Sequence, residues 1–196
     1  MEGIRFINCR FIKSASKASE FILDELPQVA IVGRSNVGKS SLINMLTNNS
    51  KMAKTSSMPG RTRLVNYFNV NNQFYLVDLP GYGFAKAAKN TIETWDAVMN
   101  DYFVSNDKLK LVLLLVDSRI GLQPKDLEML NYLNDNDLPV VVVLTKTDKI
   151  NRSETNKIIS DISSQIRYDK SLIIPTSSSK KIGSESIAKL ITARLT

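Results

Sequence analysis

The amino-acid pattern predicts an α/β fold: a single doubly wound domain whose sheet is mostly parallel, with one antiparallel strand. Three observations carry that reading. Short apolar runs alternate with stretches of helical period, the arrangement of parallel strands joined by crossover helices. Two of the runs are separated only by Asn71-Asn72, a turn pair that implies a β-hairpin and hence an antiparallel strand. The first central run, Val29-Ala30-Ile31-Val32, leads directly into Gly33-Arg34-Ser35-Asn36-Val37-Gly38-Lys39-Ser40. That octapeptide fits the phosphate-binding loop G-x-x-x-x-G-K-[ST] in full, and its strand–loop–helix context supports it.

Taken in order, Phe6–Ile12 reads as an N-terminal strand, so that residues 1–26 form a strand and a connecting segment. Val29–Val32 is the first central strand, and Ser41–Leu46 begins a helix after the glycine-rich loop. Leu64–Val70 and Gln73–Val77 make the hairpin. Leu111–Val116, Pro139–Leu144 and Ser171–Pro175 are almost continuously apolar, as strands covered on both faces are. Helices are expected near Thr91–Phe103, Gln123–Asn134, Ser153–Arg167 and Ser184–Leu195. In the second of these, Asp126 and Glu128 separate from Leu127, Leu130 and Leu133. No repeat, low-complexity tract or linker interrupts the pattern. The 196 residues suit one core, so residues 1–196 are expected to be one domain.

Composition excludes several chemistries. The chain contains no histidine, which removes Ser-His-Asp and Cys-His catalysis and histidine-ligated zinc. Its one cysteine, Cys9, cannot form an intramolecular disulfide and lies in an apolar stretch, so a packing role is expected. Hydrophobic residues at 43% and charged residues at 23% are ordinary for a soluble globular protein. No apolar stretch reaches membrane-spanning length, and the opening Met1–Arg5 lacks a signal-peptide pattern. A cytoplasmic location is therefore expected. Without a heptad run, a monomer is expected.

The formal net charge of +7 favours a polyanionic partner. Lys51, Lys54, Arg61, Arg63, Lys86 and Lys89 flank loops that should surround a nucleotide, and Lys180 and Lys181 lie in another. A polyanion-binding face is one reading of these cations; a solvated surface is the other.

The glycine-rich loop sets the chemistry. Backbone N–H groups from Gly33 through Gly38, and on to Ser41, can cradle phosphate oxygens at a helix N-terminus. Lys39 is placed to reach the β- and γ-phosphates, and Ser40 to offer a hydroxyl to Mg²⁺. Further motifs fall at strand ends. Asp78-Leu79-Pro80-Gly81 offers a carboxylate to Mg²⁺ through water and a glycine N–H to the γ-phosphate. In Thr145-Lys146-Thr147-Asp148, a carboxylate at 148 can accept from guanine N1–H and N2–H₂. Adenine lacks both donors, and mismatches of that kind can cost factors of about 10⁴. The stem of Lys146 can lie along the base. Thr176-Ser177-Ser178-Ser179 can present a backbone N–H to the guanine carbonyl. Thr62, within Gly60-Arg61-Thr62-Arg63 and followed by Leu64, is the candidate second Mg²⁺ ligand, unless it is simply an exposed loop threonine. The candidate catalytic residues are Lys39, Thr62 and Gly81.

These motifs, together with Ser41-Leu42-Ile43-Asn44, Pro59, Tyr82-Gly83-Phe84-Ala85, Phe11-Ile12-Lys13-Ser14-Ala15 and Trp95, resemble the EngB (YihA/YsxC) family among the translation-factor-related P-loop GTPases. The resemblance covers nearly the whole chain. It implies a GTP- and Mg²⁺-binding GTPase of bacterial type, needed for large ribosomal subunit assembly and linked to cell division and septation.

Ras-like GTPases orient the attacking water with a glutamine after D-x-x-G, where this chain has Tyr82. A phenol with a reference pKa of about 10 is a poor base at neutral pH, so slow intrinsic hydrolysis is expected. Asn36 resembles the asparagine of potassium-activated relatives; a role confined to stabilising the loop turn is the alternative. Segments 51–63 and 81–89 are the expected nucleotide-sensing loops. Two rivals stand beside the assembly GTPase. One is a nucleotide-gated binding module for septation machinery or another nucleic acid, with hydrolysis incidental. The other is an ATP-using kinase, against which Asp148 and the lack of a second substrate-binding domain argue.

Overall fold

The computed structural model describes residues 3–53, 64–83 and 89–195, with side chains described throughout except at 89–96. Seven strands form one sheet: β1 (Cys9–Ala15), β2 (Gln28–Gly33), β3 (Val65–Val70), β4 (Phe74–Asp78), β5 (Leu109–Asp117), β6 (Val140–Thr145) and β7 (Ile173–Pro175). Their spatial order is β1-β3-β4-β2-β5-β6-β7. Only β3 opposes the rest, pairing antiparallel with both β1 and β4, while every other pairing is parallel. This is the mostly parallel sheet with one antiparallel strand that the pattern predicts.

The helices are α1 (Lys39–Leu46), α2 (Lys89–Val104), α3 (Pro124–Asp135), α4 (Arg152–Ile166) and α5 (Ser184–Leu195). Leu42, Ile43 and Leu46 of α1 and Ile187 and Ile191 of α5 pack against Val29, Ile31, Leu113 and Val143 on one face. Tyr102 of α2 and Leu130 and Leu133 of α3 cover Ala30, Val32, Val112 and Leu114 on the other. Ile162 of α4 meets Val142 and Leu144. Burial on both faces explains why the central runs lack polar alternation. No helix among the described residues is long and apolar enough to cross a membrane.

The hairpin forms as its turn chemistry demands. Asn71 and Asn72 both have positive φ, 55° and 56°, the type I′ combination that matches strand twist. The N-terminal strand differs from expectation, running over Cys9–Ala15 rather than Phe6–Ile12. Residues before it wrap the hairpin turn instead: the Asn71 side chain accepts from Ile7 N (3.1 Å) and Asn8 N (3.0 Å) and donates to Arg5 O (2.6 Å). Beyond Phe11 the pairing continues through a bulge to Ala15, where polar Lys13 and Ser14 conceal it in the sequence. Cys9 is free and half-buried against the core, and burial raises its thiol pKa. Strand β7 begins two residues late, because Asp169 accepts from Ser171 N (2.8 Å) and caps a short 3₁₀ turn over Lys170–Leu172.

Since β2, β4, β5, β6 and β7 run the same way, their carboxyl ends share one rim of the sheet, where an open α/β sheet places ligands.

Candidate functional site

The glycine-rich loop leaves β2 and closes on α1. Asn36 lies in the left-handed region (φ 62°) and Gly38 has φ 118°, a value that L side chains rarely adopt. Val37 N donates to Arg34 O at 3.1 Å across the turn. Ser40 and Ser41 follow in the first turn of α1, both half-buried.

Leu79, Pro80 and Gly81 at the end of β4 press against this loop and are buried. Tyr82 N donates to Gly33 O (3.2 Å), and Ser35 N donates to Tyr82 O (3.0 Å). A Cβ on Gly81 would lie 3.0 Å from Lys39 Nζ and 3.1 Å from Ser35 N, so no larger residue fits without displacement. Lys39 Nζ is 3.9 Å from Asp78 Oδ1. That oxygen is buried without a hydrogen-bond partner. Burial raises the Asp78 pKa against the lowering effect of Lys39 and Asn66. A buried carboxylate oxygen without a donor suits a hydrated cation. The described residues contain no cluster of three His, Cys, Asp or Glu side chains able to hold a metal. The orphaned Asp78 oxygen fits Mg²⁺, which commonly takes one or two protein ligands and draws the rest from water and phosphates.

The Tyr82 side chain reaches α3. Its hydroxyl is buried and donates to Asp126 Oδ1 at 2.8 Å, while Asp126 Oδ2 accepts from Gln123 N (2.9 Å) in the α3 capping box. Burial and the neighbouring carboxylate push the phenol pKa far above its usual range. A neutral, engaged hydroxyl is no base for water.

At the end of β6, Thr145 Oγ1 donates to Val37 O (2.7 Å) and Lys146 Nζ to Asn36 O (2.9 Å), so this loop grips two carbonyls of the glycine-rich loop. Thr147 N and Oγ1 both donate to Thr176 O, at 3.1 and 2.8 Å. Thr176 in turn donates through N and Oγ1 to Leu144 O, at 2.7 and 2.8 Å. Ser177 Oγ donates to Asp148 Oδ1 at 2.7 Å and lies 3.1 Å from Ser179 Oγ. The Ser177 hydrogen bond leads the effects that hold the Asp148 carboxyl below its usual pKa, so it is ionised at neutral pH. Ser178 follows, half-buried. The sequence pattern assigns this serine run only backbone N–H groups; the structure adds a side-chain brace for Asp148.

The structure thus gathers Gly33–Ser41, Asp78–Gly81, Thr145–Asp148 and Thr176–Ser179 at one rim. Leu64 lies exposed immediately before β3. Gly60, Arg61, Thr62 and Arg63 are outside the described residues, as are Lys54 and Lys86. Lys51, Lys180 and Lys181 are exposed.

One rim residue escapes sequence reasoning. Asp117 ends β5 opposite Thr145. It accepts from Arg119 Nε (2.9 Å), Arg119 Nη2 (2.7 Å) and Lys146 Nζ (2.8 Å). The only available signal was its place after an apolar strand; no motif marks it.

Comparison with known proteins agrees with this geometry. Residues 28–146 match the family model described as 50S ribosome-binding GTPase. The chain is 43% identical over 183 residues to the probable GTP-binding protein EngB of Pelobacter propionicus, covering 93% of this chain and 92% of that protein. It is 47% identical over 161 residues to that of Clostridium acetobutylicum, covering 82% and 80%. Among solved structures, it is similar to a probable GTP-binding protein EngB, with TM-score 0.71 and 25% identity over 86% of this chain and 98% of the other. It is also similar to Aquifex aeolicus Era bound to GDP and AlF₄⁻, with TM-score 0.67 and 27% identity over 88% and 56%. A further similar structure is Era with MgGDPNP and a 16S ribosomal RNA segment, with TM-score 0.65 and 27% identity over 87% and 56%. The fold, the glycine-rich loop and these likenesses across most of the chain place it in the EngB family of P-loop GTPases.

Proposed function

We propose that residues 1–196 form one monomeric, cytoplasmic GTP-binding domain that hydrolyses GTP slowly with Mg²⁺. We further propose that it serves as a nucleotide switch in large ribosomal subunit assembly, on which normal cell division and septation depend. The observation that carries the nucleotide reading is the convergence of four strand-end loops, cross-linked by Lys146 and Thr145, on one rim. In this reading the backbone of Gly33–Ser41 cradles the phosphates, and Lys39 and the Gly81 N–H meet the terminal one. Asp148, braced by Ser177, reads guanine, and Thr176–Ser179 borders the base. Ser40, Thr62 and, through water, Asp78 would hold Mg²⁺, which would supply charge neutralisation for the phosphates. Segments 51–63 and 81–89 are the ones proposed to respond to the terminal phosphate.

The ribosomal reading rests on the family's description, on Era's complex with ribosomal RNA and on the charge of +7. Co-sedimentation with purified large subunits, in GDP and in a non-hydrolysable GTP analogue across a salt series, tests it. Binding that requires the analogue is expected. Equal binding in both nucleotides, lost at modest salt, would reduce the interaction to generic polyanion attraction.

A nucleotide-gated binding module with incidental hydrolysis is the second reading. It is favoured by the engagement of Tyr82 with Asp126, which ties up the hydroxyl of the residue after Gly81. Single-turnover hydrolysis with and without large subunits separates the two, since only the switch reading predicts stimulation. Asn36, with its left-handed backbone in the phosphate loop, is the proposed place for K⁺. Equal rates in KCl and NaCl at matched ionic strength would remove that assignment.

A further inference from the structure

The end of β5 carries a polar cluster that the nucleotide motifs do not include. Asp117 is only 8% exposed, yet both carboxylate oxygens are used. Oδ1 accepts from the Arg119 backbone N (3.1 Å) and from Nε (2.9 Å). Oδ2 accepts from Arg119 Nη2 (2.7 Å) and from Lys146 Nζ (2.8 Å). Lys146 Nζ also donates to Asn36 O (2.9 Å) in the phosphate-binding loop. Lys146 is therefore pinned at both ends. Its Cα sits in a left-handed turn (φ 60°), and its ammonium is fixed between an anion and a loop carbonyl.

A lysine stem carries four rotatable carbons and loses much side-chain entropy when it is held in one conformation. A single carbonyl is a weak anchor for an exposed ammonium; a buried carboxylate already oriented by a bidentate arginine is a strong one. Although burial opposes it, the hydrogen bonds from Arg119 and Lys146 hold Asp117 well below the usual carboxylate range, so the anchor keeps its charge at neutral pH.

We propose that Asp117, oriented by Arg119, is a positioning residue for nucleotide retention: it extends Lys146 as a strap between the guanine loop and the phosphate loop. It touches neither base nor phosphate and acts only through Lys146. The inference rests on the reading of Thr145–Asp148 as the guanine loop.

The test is a double-mutant cycle on the release rate of a fluorescent GDP analogue, using full-length protein with Asp117→Ala, Lys146→Ala and both changes together. Asp117→Ala is expected to accelerate release about tenfold, which is about 1.4 kcal/mol. Lys146→Ala should accelerate it further, and adding Asp117→Ala to Lys146→Ala should change little. A purely structural role would give the same acceleration in both backgrounds and would overturn the proposal, as would wild-type release from Asp117→Ala. If Asp117→Ala fails to fold, Asp117→Asn keeps the shape while turning an uncharged amide toward Lys146, and the same non-additivity is required of it. Arg119→Ala should reproduce a smaller part of the effect, and only when Lys146 is present. A wild-type release rate from Lys146→Ala would instead refute the guanine-loop reading, which separates the two failures.

Discussion

Asp78, the proposed Mg²⁺ ligand, illustrates what burying a carboxylate costs. It is 4% exposed, one oxygen lacks a donor, and burial raises its pKa despite Lys39. Its ionised form opposes folding of the nucleotide-free protein. Asp78→Asn is therefore expected to raise the unfolding midpoint of that form, by an equivalent of about 0.5–2 kcal/mol, and to remove the Mg²⁺ dependence of hydrolysis. A lowered midpoint would mean that the ion pair with Lys39 outweighs burial. Asp148 is the opposite case, ionised and already bonded through Ser177. Replacing it with Asn converts an acceptor pair into an acceptor and a donor, so selectivity should move from guanine toward xanthine nucleotides. Competition against labelled GDP measures this, and unchanged guanine preference would refute the role. Both acids are legible in sequence because each lies in a recognisable string, Asp78 ending an apolar strand and Asp148 three residues past one. Ser177 as the partner of Asp148 was not legible, since 29 residues separate them and only the parallel pairing of β6 and β7 brings them together.

Among the elements, the long helices and central strands declare themselves by period, whereas the margins depend on tertiary contacts. The type I′ turn was readable in Asn71-Asn72, but the second task of Asn71 was not. One side chain satisfies the backbone at residues 5, 7 and 8 and so decides where β1 begins. Asn71→Gly retains a residue that accepts φ 55° but deletes those three bonds. The hairpin should survive while residues 3–8 become much more exchangeable, and amide hydrogen exchange can test this directly. Equal protection in both proteins would show that the packing of Phe6 on Phe74 is enough to hold the segment. The delayed start of β7 has the same origin, a side-chain cap that outcompetes strand propensity locally.

Across the whole molecule, acid stability should report the Asp117 cluster. A carboxyl held low in the folded state contributes stability that is fully present above the unfolded value of about 3.9 and is lost as pH falls through the folded one. The gap in unfolding midpoint between the wild type and Asp117→Asn should thus stay constant from neutral pH to about pH 5 and then narrow progressively as pH falls below about 4. A gap that persists in acid would assign the contribution to packing rather than charge. The sheet itself was legible because burial on both faces writes a continuous apolar signal. Its rim was legible only where a motif named it, so the last residue of β5 passed without notice until the register against β6 placed Asp117 beside Lys146. The bridge between Arg34 and Tyr82 carries a last consequence. Ser35 has a single N–H proton, and here Tyr82 O receives it. An anionic oxygen that claims this proton leaves the Tyr82 carbonyl without its donor. Pocket filling and retention of the Tyr82 carbonyl then become rivals for one hydrogen, and by linkage whatever captures the freed carbonyl tightens the grip on the anion.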